Sequence, residues 1–187
     1  MSLSITIDLS DTDLEYFQEA LRRAQASAGV KSAQEITDAA SKVLEVSGSA
    51  EVPAFISERL SKLESLINMV HDEGWALGEE DKRRVLTALA YFAEPNDVIP
   101  DDVPVVGYLD DAIMIELCVR ELKHEVEAYD DFCSFRRDEA EGRGVDPKGV
   151  GRAEWLEGRR QELQDRMRRR RMSYSGGGMG GSMFRIG

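Results

Sequence analysis

The chain is poor in the residues that most catalytic and metal-dependent chemistry requires. Its 187 residues include two cysteines and two histidines, which do not have the spacing of a zinc site. Neither a P-loop nor a nucleophile elbow occurs. Cys118 and Cys133 fall on one predicted helix, roughly 22 Å apart along its axis, which is too far for a disulfide. These shortages favour a non-enzymatic protein over an enzyme.

Long apolar runs are also missing. No stretch approaches the ~18 apolar residues that a membrane-spanning helix needs. The first residues have neither the charged nor the apolar region of a secretory signal. We therefore expect a soluble, cytoplasmic protein, in which both cysteines stay reduced.

Basic residues are fewer than acidic ones, and the two kinds are unevenly distributed. The chain has 24 Lys and Arg against 36 Asp and Glu. Residues 1–133 carry a net charge of -17, from 28 acids and 11 bases, whereas residues 134–187 carry +5, from 8 acids and 13 bases. This asymmetry predicts that the two parts of the chain face different partners or each other.

Helical periodicity is abundant and predicts an all-α fold. Ser10 or Asp11 is expected to cap a first helix, and Ser32 with Glu35 has the residue types and spacing of a capping box for a second. A third helix follows Pro53 and a fourth begins near Glu79. After Asp111, one long helix is predicted to continue through Cys133. The sequence thus predicts a compact bundle of about five helices, with a basic C-terminal helix and a glycine-rich tail.

A stiff acidic turn is predicted between the fourth and fifth helices, over residues 95–111. Proline fixes φ and cannot donate a backbone hydrogen bond, and three of the five prolines of the chain fall here. The turn scaffold is predicted to consist of Pro95, Pro100, Pro104 and Gly107. Five aspartates accompany it, namely Asp97, Asp101, Asp102, Asp110 and Asp111.

These aspartates have three interpretations. They can stabilise turns and cap the long helix, with Asp110 as its cap and Asp111 in its first turn. They can present negative charge to a partner protein. As an alternative, Asp97, Asp101, Asp110 and Asp111 can supply hard oxygen ligands to Mg²⁺ or Ca²⁺, although their spacing fits no EF-hand loop. No other cofactor is predicted.

The same segment resembles a known family. Pro95, Asp97, Ile99, Pro100, Asp101, Pro104, Gly107, Asp110 and Asp111 match the signature of the YkvA-like family, the bacterial domain of unknown function 1232. The resemblance covers about residues 85–125. It implies a small helical domain folded around this motif, and it brings no reaction, substrate or catalytic residue.

The C-terminal part of the chain differs in composition from the rest. We expect three regions: a helical domain over residues 1–133, a linker and basic helix over 134–172, and a flexible glycine-rich tail over 173–187. The basic helix ends in an arginine patch consisting of Arg166, Arg168, Arg169, Arg170 and Arg171. This patch can bind nucleic acid or an anionic surface, or it can pair with acids of the same chain or of a partner.

Together these patterns predict a helical protein-interaction or adaptor module that contacts an unknown partner protein through the acidic turn. Binding of Mg²⁺ or Ca²⁺ by the aspartates is one alternative. Binding of nucleic acid by the arginine patch is a second, and the strongly acidic body disfavours it. Heptad-like apolar spacing in the third and fifth helices would also permit a homo-oligomer.

Overall fold

The computed structural model describes residues 8–47, 52–94 and 108–174. Within these ranges the chain forms seven α-helices and three short 3-10 turns, and it has no strand. The helices are α1 (Asp11–Ser27), α2 (Ala33–Ser47), α3 (Ala54–His71), α4 (Glu79–Leu89), α5 (Leu109–Glu121), α6 (Lys123–Arg143) and α7 (Glu154–Tyr174). The all-α prediction is confirmed, with seven helices rather than about five.

The first two helices begin at capping boxes, of which the second was predicted, while Ser10 or Asp11 alone was expected to cap the first. The backbone N–H of Asp13 donates to Ser10 Oγ, and the backbone N–H of Ser10 donates to an Asp13 carboxylate oxygen. Ser32 and Glu35 make the same reciprocal pair of bonds at the start of α2. Each box satisfies backbone donors that the first helical turn leaves without partners.

One hydrophobic core joins all seven helices. The predicted apolar stripe of α3 is buried, with exposures of at most 8% at Ile56, Leu60, Leu63, Ile67 and Val70. α5 packs on α3, and α1 and α2 surround the 3-10 turn Ala90–Ala93 that follows α4. None of the described helices is both long and apolar enough to cross a membrane.

The predicted long helix after Asp111 is two helices, so that expectation was wrong. Leu122, with φ -98° and ψ 21°, separates α5 from α6. Arg84 of α4 donates from Nη2 to the carbonyl oxygen of Glu121 at 3.1 Å. A side chain from another helix therefore satisfies a carbonyl at the break, and the apolar spacing within 109–143 could not reveal this contact.

The C-terminal helix is part of the bundle. α6 continues to Arg143, through much of the region predicted as a linker, and ends at Gly144 in the left-handed conformation. α7 then packs along α6. Leu156, Leu163 and Met167 of α7 are at most 1% exposed and belong to the same core as Trp75 and Phe132.

Candidate functional site

The last described residues before the acidic segment 95–107 are anchored by hydrogen bonds. Lys31 Nζ donates to Glu94 Oε1 at 2.7 Å and to the carbonyl oxygen of Ala93 at 2.7 Å, and Ser27 Oγ donates to the same carboxylate at 2.6 Å. The hydrogen bond from Lys31, aided by that from Ser27, holds the pKa of Glu94 below its usual value. The last described residues before the turn are thus tied to the end of α1.

The first described residues after the acidic segment lie in the protein interior. Tyr108 precedes α5 and is 7% exposed, while Asp110 and Asp111 are 1% and 6% exposed. α5 begins at Leu109 with Tyr108 at the N-cap position, so Asp110 lies inside the first turn instead of capping the helix as expected. Both carboxylates lie near the positive end of the helix dipole, and neither is at the surface for a partner to contact.

The remaining predicted residues of the turn lie outside the described residues. These are the aspartates 97, 101 and 102, the prolines 95, 100 and 104, and glycine 107. Their roles as scaffold and partner contact stay predictions. Among the residues that the structure does describe, no group of three or more His, Cys, Asp or Glu side chains could hold a metal ion.

The arginine patch faces acidic residues of its own chain. Arg166 pairs with Asp131, and Arg170 Nη1 lies 3.1 Å from Glu127 Oε2. Arg168 Nε donates to Asp81 Oδ2 at 3.0 Å. Four of the five predicted arginines, counting Arg171, thus form ion pairs with α4 or α6.

Two buried carboxylates form the centre of this contact, which we call the arginine junction: Asp81, Glu125, Arg84, Arg168 and Arg171. Asp81 is 2% exposed and Glu125 is 1% exposed. Arg171 Nη1 lies 2.7 Å from Asp81 Oδ1 and 3.1 Å from Glu125 Oε1. Arg84 Nε donates to the same Glu125 oxygen at 2.9 Å. Buried carboxylates are costly without such partners, so the arginines satisfy a need of the fold.

The two carboxylates of the junction were not among the site residues predicted from the sequence. Asp81 lies four residues before the buried Val85, and Glu125 lies four residues before the buried Tyr129. Each acid therefore occupies a position on the apolar stripe of its helix. An acidic residue at such a position is the sequence signal of a buried ion pair, although it does not identify the partner.

A second polar cluster lines an open cleft of about 1230 Å³ between the end of α3, α6 and the loop before α7. Asp72 accepts hydrogen bonds from the hydroxyl of Tyr129 at 2.9 Å and from Arg136 Nη1 at 2.9 Å. Its Oδ1 also accepts the backbone N–H groups of Gly74 and Trp75. These bonds join the loop after α3 to α6, which is a structural role.

The cysteines are both free, as predicted. Cys118 is buried in α5, and its Sγ donates to the carbonyl oxygen of Ala88 at 3.1 Å. Cys133 borders the open cleft. Burial raises the pKa of both thiols, which makes them poor nucleophiles.

Comparison with known proteins gives one match. Residues 81–117 match the family model described as a protein of unknown function (DUF1232). Searches of the curated proteins and of the solved structures find no match. The matched segment begins at Asp81 of the arginine junction and extends through the acidic turn into α5. The resemblance predicted from the sequence is thereby confirmed for residues 81–117, which are similar to the DUF1232 family.

Proposed function

We propose that this chain is a cytoplasmic protein-interaction module that binds a partner protein through the acidic segment 95–107. The observation that carries this proposal is the anchoring of both ends of the segment. Glu94 is bonded to Lys31 and Ser27 on one side, and Tyr108 is buried on the other. Fixed ends restrict where the segment between them can lie, which lowers the entropy that binding must overcome.

The expected partner carries a basic surface. Asp110 and Asp111 are buried, so we assign the proposed contact to Asp97, Asp101 and Asp102. The net charge of -17 over residues 1–133 favours a positively charged partner through long-range attraction. Nucleic acid has less support, because four of the five arginines in the patch are already paired within the chain.

A matched pair of triple variants tests the contribution of the segment. The test variant is Asp97→Asn, Asp101→Asn and Asp102→Asn. The control is Glu15→Gln, Glu19→Gln and Glu45→Gln, which removes the same charge from exposed residues of α1 and α2. Each chain is used as bait from the same lysate, and proteins recovered by wild type and control are then purified and titrated by calorimetry.

We expect the test variant to bind those proteins at least about tenfold more weakly, because it loses the charge-assisted contacts. Equal binding by all three folded baits would overturn the proposal. The same three proteins also test the alternative that the aspartates bind a cation. If millimolar Mg²⁺ or Ca²⁺ raises the melting temperature of wild type and control but not of the test variant, the aspartates bind a cation instead.

A further inference from the structure

The last turns of α7 are attached differently from the rest of the helix. Up to Met167 the helix is held by buried apolar side chains, with Leu156 and Leu163 fully inaccessible. Beyond Met167, the side chain of Arg168 is 42% exposed and Met172 is 72% exposed. The contacts of residues 168–171 with α4 and α6 are ion pairs. Charge therefore holds this end of the helix in place, and apolar burial does not.

The surface beneath this end requires a guanidinium. Asp81 and Glu125 are almost fully buried, and one nitrogen of Arg171 lies within 3.1 Å of an oxygen of each. Removing Arg171 and Arg168 without replacement would leave Asp81 as a buried charge without its cations. Detachment of this end of α7 by itself is thus unfavourable. Its replacement by another arginine-bearing segment would restore ion pairs of the same kind.

The junction also has an unused acceptor. Glu125 Oε1 accepts from both Arg84 and Arg171, while Oε2 is buried and has no hydrogen-bond partner among the described residues. Buried carboxylate oxygens normally accept hydrogen bonds. A segment with differently placed arginines could bond to both oxygens, which the internal one does not do.

We infer that the last turns of α7 are an internal ligand, and that the surface around Asp81 and Glu125 binds an arginine-rich helical segment of another protein in their place. This inference rests on the ion pairs of α7 with Asp81 and Glu125, and it does not depend on the proposed function. The surface should prefer arginine to lysine, because the guanidinium of Arg168 places both Nε and Nη2 3.0 Å from Asp81 Oδ2, whereas an ammonium has a single nitrogen.

Full-length variants test the inference. Arg168→Gln with Arg171→Gln removes the internal ligand and leaves the apolar anchors of α7 intact. The matched control is Arg166→Gln with Arg170→Gln, whose partners Asp131 and Glu127 have side chains that are 49% and 42% exposed. The probe is a fluorescent peptide with the sequence of residues 160–174, and its binding is followed by anisotropy in low salt. Circular dichroism confirms that each variant stays helical.

We expect the test variant to bind the peptide at least about tenfold more tightly than wild type or the control. The affinity should fall several-fold when salt rises from 50 to 200 mM, by screening of the charges. Replacing the arginines of the peptide at 166 and 168–171 by glutamine should abolish binding, and lysine should weaken it about tenfold. Because these last two changes are made in the peptide, they do not affect the folding of the protein.

Two results would overturn the inference. One is that the folded test variant binds the peptide no more tightly than wild type or the control does. The other is that wild type binds a short oligonucleotide and the test variant does not, because the arginines would then leave the junction for phosphates. Addition of Asp81→Asn and Glu125→Gln to the test variant should remove peptide binding, and retained binding in that folded variant would place the site elsewhere.

Discussion

Nη1 of Arg136 in α6 lies 2.8 Å from Oδ2 of Asp72, the C-cap residue that follows α3. Both side chains are largely buried, at 15% and 10% exposure. The pair connects two helices that are distant in sequence. It also holds the carboxylate that accepts the N–H groups of Gly74 and Trp75 in the following loop.

Asp72→Asn should lower the free energy of unfolding by about 2–4 kcal/mol, because it leaves a mostly buried guanidinium without its counter-charge. Urea denaturation measures the change. The control is Asp130→Asn, which removes an exposed pair with Lys62 between the same two helices. Its effect should stay below about 1 kcal/mol, and equal losses in the two variants would show that burial of the Asp72 pair is unimportant.

The stability of the wild-type protein should depend on pH through the same residue, Asp72. Burial by itself would raise the pKa of Asp72, but hydrogen bonds and the charge of Arg136, with bonds from Trp75 and Tyr129, hold it below its usual 3.8. A lowered carboxyl pKa contributes stability that is present above about pH 4 and is lost as the pH falls through the folded value. The difference in unfolding free energy between wild type and Asp72→Asn should therefore shrink from pH 6 to pH 2. A difference that does not change with pH would contradict this assignment.

Leu163→Ala tests whether α7 belongs to the same folding unit as the other helices. Leu163 is fully buried, so its truncation should cost about 2–5 kcal/mol. Circular dichroism and tryptophan fluorescence in urea should report one common transition at a lower midpoint. Met172→Ala, at an exposed position of the same helix, should change stability by less than about 0.5 kcal/mol. Two separate transitions would indicate that α7 unfolds independently.

Two glycines near the end of α6 should respond to alanine in opposite directions. Gly144 has a φ of 68°, which disfavours any side chain, so Gly144→Ala should destabilise the chain by about 1–2 kcal/mol. Gly142 lies within the helix and a Cβ there would meet no atom within 4 Å. Gly142→Ala should stabilise by up to about 1 kcal/mol. Thermal denaturation of both variants gives the comparison, and shifts of the same sign would contradict the assigned end of α6.

The two thiols should differ in reactivity towards Ellman's reagent at pH 8. Cys118 is completely inaccessible and its pKa is raised by burial, so it should react only when the chain unfolds. Cys133 is partly accessible from the cleft and should react in the folded protein, slowly because burial raises its pKa too. Mass spectrometry identifies the labelled residue. Rapid labelling of Cys118 in the native protein would contradict the packing of α5.

The sequence by itself determined the features that depend on near neighbours along the chain. A capping box joins residues three positions apart, as Ser10 with Asp13 and Ser32 with Glu35 demonstrate. The apolar stripe of α3 likewise follows from helical periodicity. The family segment could also be identified from the sequence, since its prolines, glycine and aspartates lie close together along the chain.

Only the tertiary structure decided which charges are buried and what they bind. Arg171 and Asp81 are separated by 90 positions, and Arg84 reaches Glu121 across 37. Such contacts depend on how the helices pack, so they cannot be predicted from the local sequence. For that reason the break at Leu122, the burial of Asp110 and Asp111, and the identity of the buried acids that pair with the arginine patch appeared only in the folded chain.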